Sequence, residues 1–127
     1  MKIKWIKPVF LAMTAAVILK LFFFDFIVAQ GLSMEPAIKN GAVLVISKLR
    51  YGIRLACQQE YLIRWDTPKP GEVVVFYTPT GELAVKRCTA VEDKSFFAEG
   101  DNGLASYDSR AYGTIPLKNI IGKVLGY

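Results

Sequence analysis

A long apolar stretch near the N-terminus constrains this chain more than any other feature. Residues 8–29 include only two charged side chains, Lys20 and Asp25, and the stretch is close to the roughly 20 residues that cross a bilayer as a helix. Lys20 lies towards its far end, where a long side chain can reach the headgroups. Lysines at positions 2, 4 and 7 favour a cytoplasmic N-terminus. We therefore predict a cytoplasmic segment over residues 1–7, a transmembrane anchor over 8–28 and an extracytoplasmic domain over 29–127.

Two other interpretations compete with this anchor. A cleaved signal peptide has the same basic start and apolar core, with its cut after Ala29, but Lys20 and Asp25 would then fall in or beside the apolar region. A buried core helix is the second alternative, but residues 29–127 could hardly enclose it. A retained anchor is favoured over both.

Beyond the anchor the pattern is typical of β-strands. Runs rich in valine and isoleucine predict strands over residues 42–47 and 72–77, and three further short runs, the first of which follows a proline and glycine turn, predict strands over 83–90, 95–99 and 120–125. Residues 51–67 have no clear period and are expected to form a long loop. The predicted fold class is mainly β, a small barrel or folded sheet preceded by one transmembrane helix.

The absence of histidine excludes several kinds of active site. A Ser-His-Asp triad, a Cys-His dyad and a histidine metal ligand are all impossible, and two cysteines cannot form a four-thiolate zinc site. We expect no metal and no cofactor. The net charge of +5 includes no basic run beyond the anchor, so a nucleic-acid partner is not expected. If the chain is a hydrolase, its general base must be a carboxylate, a lysine or an amine.

The two cysteines have a smaller part in the interpretation. Cys57 falls in the predicted loop and Cys88 on a predicted strand. An extracytoplasmic domain permits a disulfide between them, but a buried free thiol at Cys88 is favoured. No histidine is present to activate either thiol as a nucleophile.

Three polar segments carry the candidate chemistry. Ser33 opens the sequence Ser-Met-Glu-Pro just after the anchor. Lys86 and Arg87 lie within a predicted strand and must point to opposite faces, so one of them faces the interior. Residues 100–116 are dense in turn formers and short polar side chains, which must be ordered by mutual hydrogen bonds because little apolar content is present to pack them.

In this order and behind an anchor, these segments resemble type I signal peptidases, the membrane-bound Ser-Lys endopeptidases that remove signal peptides. Residues 20–25 resemble the end of the family's anchor, and residues 33–36 resemble its nucleophile box. Residues 51–54 and 70–76 resemble the linking segments. Residues 85–87 resemble the general-base strand, and residues 100–116 resemble the closing box. Members with a second domain carry it between the last two stretches, so this chain resembles a minimal core.

The resemblance implies a role for each polar residue. Ser33 is implied as the nucleophile and Lys86 as its general base, which requires burial to lower the lysine pKa from about 10.4. Ser106 resembles the serine that orients the lysine amine, and Asp108 and Arg110 resemble an ion pair that braces the closing box. Gly31 stands where some members have a serine that donates to the oxyanion, so the second donor is unassigned.

The resemblance also implies a substrate preference. The family cuts after Ala-x-Ala sequences, which requires shallow apolar pockets that exclude larger side chains. The positions that resemble pocket-lining residues are Ile27, Ala29, Met34, Ile38, Leu44, Val74, Ala84 and Val85. Ordinary core packing is an equally good interpretation of any one of them.

We therefore expect a serine endopeptidase of the bacterial cytoplasmic membrane, with its N-terminus inside and its catalytic domain outside. Its implied partners are exported preproteins, membrane phospholipid and the secretion translocon. Two alternatives stay open: a maturation peptidase dedicated to one secretion, pilus or conjugation substrate, and a catalytically silent relative that binds or scaffolds exported chains.

Overall fold

Strands dominate residues 2–54 and 61–127, the part of the chain described by the computed structural model. The mainly β prediction is confirmed. The strands are β1 (Phe24–Val28), β2 (Val43–Ser47), β3 (Gly52–Arg54), β4 (Tyr61–Arg64), β5 (Val73–Tyr77), β6 (Leu83–Val91), β7 (Ser95–Glu99), β8 (Ile115–Pro116) and β9 (Ile120–Gly126). The helices are α1 (Ile6–Phe22) and the single turn α2 (Ser109–Tyr112), with short 3₁₀ turns at Lys2–Trp5, Gly103–Ala105 and Leu117–Asn119.

The N-terminal stretch contains a helix and a strand where a single helix was predicted. α1 ends at Phe22, and the rest of the predicted 8–28 anchor forms β1, which pairs antiparallel with β2. The change occurs because aromatic and β-branched side chains favour a strand once a partner is available. In the described ranges, no helix combines the length and the apolar character needed to cross a membrane.

One sheet holds seven of the strands, in the order β1-β2-β9-β5-β6-β7-β8 with every neighbour antiparallel. The five predicted strands are all present, with bounds that differ from the prediction by a residue at some ends. In a flat sheet the four steps from β1 to β6 would separate these strands by roughly 19 Å. Side chains of both strands nevertheless line a single cleft, so the sheet is strongly curled.

Side chains pack on both faces of this curled sheet because alternate residues of β5 point in opposite directions. Two buried clusters result. The first contains Tyr51, Val74, Phe76, Cys88, Phe96, Ala98, Ile115, Leu117 and Ile120. The second contains Met34, Ile38, Leu44, Ile46, Val73, Val75 and Val124.

The long loop predicted over residues 51–67 is wrong in part, because β3 and β4 form a hairpin within it. These strands are too short for an alternating pattern to be visible in the sequence. Gly52 permits the pairing, since a Cβ there would lie 2.2 Å from the carbonyl oxygen of Ile63. Tyr51 ties the hairpin to the main sheet, because its buried hydroxyl donates to the Glu72 carboxylate at 2.6 Å.

Cys88 is a buried free thiol, as predicted. Burial raises its pKa to about 11, which keeps the sulfur protonated and unreactive at neutral pH. The predicted loop cysteine, Cys57, lies outside the described residues.

Candidate active site

Ser33 lies in a turn that is fastened to the sheet at both ends. The turn follows β1, where the backbone N–H of Ala29 donates to Ala42 and that of Gly41 donates back to Ala29. Met34 and Ile38 are buried in the second cluster, and their packing there fixes the turn against the sheet. Gly31 has φ +92°, a left-handed conformation that favours glycine, and its N–H donates to the Asn40 side chain. The nucleophile candidate is therefore held by main-chain bonds and by packing.

Lys86 reaches this turn from β6, four strands away in the sheet order. Its side chain is 8% exposed, and its Nζ atom lies 2.7 Å from Ser33 Oγ, to which it donates a hydrogen bond. In the pairing of β5 with β6, Lys86 lies opposite the fully buried Val74. Burial lowers the pKa of Lys86; the Asp108 carboxylate partly opposes this, and the Arg110 guanidinium adds to it. A lysine with a lowered pKa beside a serine hydroxyl is the arrangement that general-base activation requires.

The neighbouring Arg87 points the other way and contacts the closing segment, residues 100–113. Its Nε and Nη2 atoms donate to the two carboxylate oxygens of Asp101, each at 2.8 Å, and Nη1 donates to the carbonyl of Gly71. The next residue, Asn102, donates from its backbone N–H to the carbonyl of Ser33 at 2.8 Å. Its side chain also donates to the carbonyl of Leu32 at 3.1 Å. The strand that carries the lysine therefore also positions the serine turn, through its opposite face.

Asp108 is the centre of the closing segment. It is 1% exposed and accepts hydrogen bonds from the backbone N–H of Gly100, from the Ser106 hydroxyl and from the Arg110 guanidinium. Burial alone would raise the pKa of this carboxyl, but the donors from Arg110, Ser106 and Gly100 outweigh it and hold the pKa well below its ordinary value. Asp108 is therefore ionised at neutral pH. Its hydrogen bonds order the closing segment, which has few apolar side chains to pack it.

Ser106 does not have the partner that the sequence led us to expect. Its hydroxyl donates to Asp108 at 2.5 Å, and no hydrogen bond joins it to Lys86 within the described part of the chain. The buried Asp108 carboxylate takes the one proton of the Ser106 hydroxyl, and the Lys86 amine donates to Ser33 Oγ instead. Ser106 therefore braces the closing segment and does not directly orient the lysine here.

Gly100 allows the closing segment to approach the serine turn. A Cβ on this residue would lie 2.2 Å from Ser106 Oγ and 2.6 Å from the carbonyl oxygen of Ser33. No side chain fits between these atoms. Gly100, Asp101 and Asn102 fall within the closing box, residues 100–116, but their separate contacts with the serine turn appear only in the folded structure.

Ser33 and Lys86 lie in a cleft of about 530 Å³. Six of the eight predicted pocket positions line it: Ile27, Ala29, Met34, Ile38, Ala84 and Val85. Leu44 and Val74 are not among the lining residues; both are completely buried in the two clusters, because their strands lie inside the sheet. The cleft also has lining residues that the sequence analysis missed, in the β5–β6 turn and the closing segment: Thr78, Thr80, Glu82, Leu83, Ala105 and Tyr107.

Two strand edges border this cleft. β1 is the terminal strand of the sheet, and β6 pairs with β7 only from Arg87 onwards. Residues 83–86 of β6 therefore have β5 as their one strand neighbour within the described ranges. An extended peptide placed between these edges can form main-chain hydrogen bonds with either. In the same ranges no group of three or more Cys, Asp or Glu side chains is arranged to bind a metal.

Comparisons with known proteins agree with this geometry. The family model for signal peptidase, peptidase S26, matches residues 2–92 and 82–126. A signal peptidase I of Bacillus caldolyticus is 26% identical over an alignment that covers 92% of this chain and 86% of the relative. A signal peptidase I of Haemophilus influenzae is 29% identical over 94% of this chain but only 33% of its own length. Mitochondrial inner membrane protease subunit 1 of Xenopus tropicalis is 30% identical over 79% of this chain and 66% of the relative.

The family match covers more than half of the chain, and it includes both the turn that carries Ser33 and the strand that carries Lys86. The resemblance that the motifs indicated is confirmed: the chain belongs to the signal peptidase family, peptidase S26.

Proposed function

We propose that this chain is a serine endopeptidase that removes N-terminal signal peptides from exported preproteins, with Ser33 as nucleophile and Lys86 as general base. The observation that carries the proposal is the 2.7 Å contact between the buried amine and the serine hydroxyl, inside a cleft with two free strand edges. Family membership supplies the reaction class, and the geometry suggests the residues that perform it.

The first half of the reaction forms an acyl-enzyme. Neutral Lys86 takes the hydroxyl proton of Ser33 as the oxygen attacks the carbonyl carbon of the scissile bond. The C–N bond then breaks, and the Lys86 ammonium returns the proton to the departing amine. Only the neutral amine can begin this cycle, which is why the lowered pKa of Lys86 matters for activity.

The second half of the reaction hydrolyses the acyl-enzyme. Lys86 takes a proton from water, the hydroxide equivalent attacks the ester carbonyl, and the Ser33 oxygen leaves and recovers its proton. Both tetrahedral intermediates carry negative charge on oxygen, which requires donors placed near the nucleophile. The Ser33 backbone N–H is the proposed first donor. Gly31 has no side chain to supply the second.

Substrate selection follows from the shape of the cleft. A peptide paired with the free edges of β1 and β6 is held extended, so alternate side chains point to the same wall. Ile27, Met34 and Val85 contribute apolar side chains to the lining of the cleft. We propose that this wall accepts small residues at the first and third positions before the cut, as in Ala-x-Ala sequences.

We also propose that residues 8–28 seat the chain in the cytoplasmic membrane, with the sheet on its outer side. α1 has 17 residues and would extend about 26 Å, slightly less than the hydrocarbon core of a bilayer. The described apolar side chains of this helix are exposed, as are Phe24, Phe26 and Val28 on the outer face of β1. Alkaline extraction and flotation of membranes that contain the chain test this: we expect it to stay with lipid, and release into the aqueous fraction would contradict the anchor.

The test of the proposed activity is cleavage of a preprotein with an Ala-x-Ala site, in detergent supplemented with phospholipid. We expect a cut after the second alanine, mapped by mass spectrometry, and its loss when the first and third residues are replaced by leucine. A folded chain that cleaves only one cognate secretion substrate would instead support a dedicated maturation peptidase. Binding of signal peptides without cleavage would support a silent scaffold.

A further inference from the structure

Tyr107 differs from its neighbours in the closing segment. Its side chain is 70% exposed, whereas Asp108 and Ser109 on its C-terminal side are buried. The backbone around it is held in place, because the Ser106 hydroxyl donates to the Asp108 carboxylate and the Ser109 hydroxyl accepts from the backbone N–H of Ala98 in β7. A large aromatic ring is thus displayed from a fixed segment, and it lines the cleft.

The ring of Tyr107 is oriented by a second aromatic residue. Tyr112 packs against it edge to face, with ring centroids 5.3 Å apart and planes inclined by 64°. Pairs with this geometry are favourable beyond the area that they bury. The pair restricts the ring of Tyr107 before any substrate is present, while most of its surface stays available for contact.

We propose that Tyr107 contacts the side chain of the second residue before the scissile bond and favours an apolar or aromatic side chain there over glycine. The proposal rests on the proposed peptidase function and adds a specificity determinant to it. Tyr107 is a substrate-contacting residue in this account and has no part in the proton transfers of Ser33 and Lys86.

The position follows from the alternation of side chains along an extended peptide. If the first and third residues before the cut point towards the wall formed by Ile27, Met34 and Val85, the second must point away from it. The lining on the closing-segment side consists of Ala105 and Tyr107. Of these two residues, Ala105 is too small to reach far into the cleft, so the aromatic ring is the larger group on this side that the middle side chain can meet.

The test varies only the middle residue of one Ala-x-Ala peptide, using phenylalanine, leucine and glycine. Cleavage rates are compared for the wild type, Tyr107→Ala, Tyr107→Phe and Leu104→Ala. Leu104 is the matched control because it is fully exposed in the same segment and does not line the cleft. Dissociation constants of the same peptides for a Ser33→Ala chain, with and without Tyr107→Ala, give a measurement that does not depend on turnover.

We expect the wild type to prefer phenylalanine over glycine by roughly fivefold in kcat/KM, the size of one aromatic contact. Tyr107→Ala should bring this ratio close to one, whereas Tyr107→Phe and Leu104→Ala should retain it. Discrimination between alanine and leucine at the first and third positions should be unchanged. Binding to the Ser33→Ala chain should show the same pattern.

Two results would overturn the inference. In the first, Tyr107→Ala leaves the phenylalanine-to-glycine ratio unchanged in both cleavage and binding. In the second, it alters selection at the first or third position instead. A wild type that binds these peptides with the expected ratio but never cleaves them would contradict the proposed activity and leave the Tyr107 contact supported. Absence of both binding and cleavage would contradict both.

Discussion

The amine of Lys86 lies 2.7 Å from the hydroxyl oxygen of Ser33, although 53 positions separate them in the chain. Three features hold the two atoms together. The lysine is buried on β6, hydrogen bonds fix the serine turn, and the closing segment packs closely against that turn. Each feature can be altered separately, and each alteration has a distinct expected effect.

The pH dependence of cleavage should follow the protonation of Lys86. Because burial lowers the pKa of this amine, kcat/KM should rise with pH to a midpoint below the ordinary lysine value of about 10.4. The same midpoint should appear when Lys86 is followed by carbon NMR in a Ser33→Ala chain with labelled lysine. A midpoint at or above the ordinary value would contradict the role of burial.

Lys86→Met should abolish cleavage and increase stability at neutral pH. The folded-state pKa of Lys86 is lowered, so the unfolded chain holds this proton more tightly and the charged amine disfavours folding at neutral pH. The wild type should therefore gain stability as pH rises through the window between the folded and unfolded pKa values, and the advantage of Lys86→Met should shrink there.

Denaturant unfolding at pH 7 and at pH 10.5 measures that difference. Lys39→Met, at an exposed position, is the control and should show no comparable change between the two pH values. An advantage of Lys86→Met that is the same at both values would mean that it arises from packing and not from the charge.

Gly100→Ala should reduce both activity and stability. The added methyl would overlap Ser106 Oγ and the Ser33 carbonyl, so the closing segment and the serine turn must separate. We expect a loss of about 1–3 kcal/mol in the free energy of unfolding and roughly a hundredfold lower kcat. Gly126→Ala is the matched control, since no atom lies within 4 Å of its Cβ position. Equal behaviour of the two variants would show that the tight approach at Gly100 does not support the site.

Breaking the ion pair between Arg87 and Asp101 should lower kcat more than it raises KM. Asp101→Asn weakens the bidentate contact that fixes Asn102 against the Ser33 and Leu32 carbonyls, and we expect roughly a tenfold loss. The double variant with Arg87→Gln should be little worse than Arg87→Gln alone, because either single change already removes the ion pair with Asp101.

The ion pair between Arg50 and Asp66 provides the control for that experiment, because neither residue lines the cleft. Asp66→Asn should leave kcat and KM unchanged. If the Asp101 and Asp66 variants lose activity equally, the effect reflects general stability and the positioning role is contradicted.

The parts of the fold that the sequence predicted are those with a local signal. Short apolar runs indicated five strands correctly, and the alternation of Lys86 and Arg87 required one of them to face inwards. β1 was hidden because Phe24–Val28 is apolar apart from Asp25 and continues the pattern of the preceding helix. The β3–β4 hairpin could not be predicted because its strands are too short to show an alternation of apolar and polar residues.

The details of the site depended on burial, which a single sequence does not reveal. The hydroxyl of Ser106 was expected to contact Lys86, but it donates to the buried carboxylate of Asp108, while the Lys86 amine donates to Ser33 Oγ. Leu44 and Val74 matched pocket positions, but their strands have neighbours on both sides and their side chains are fully buried. Tyr107 lies in the predicted closing box but had no predicted role, because its contact with Tyr112 and its place in the cleft appear only in the folded chain.

A double-mutant cycle in single-turnover cleavage tests whether Ser33 and Lys86 act as one catalytic unit. One Ala-x-Ala preprotein is cleaved by the wild type, Ser33→Ala, Lys86→Met and the double variant. The account predicts that each single variant loses at least about a thousandfold in rate and that the double variant is no slower than either. Substantial cleavage by either single variant, or losses that multiply in the double variant, would contradict it.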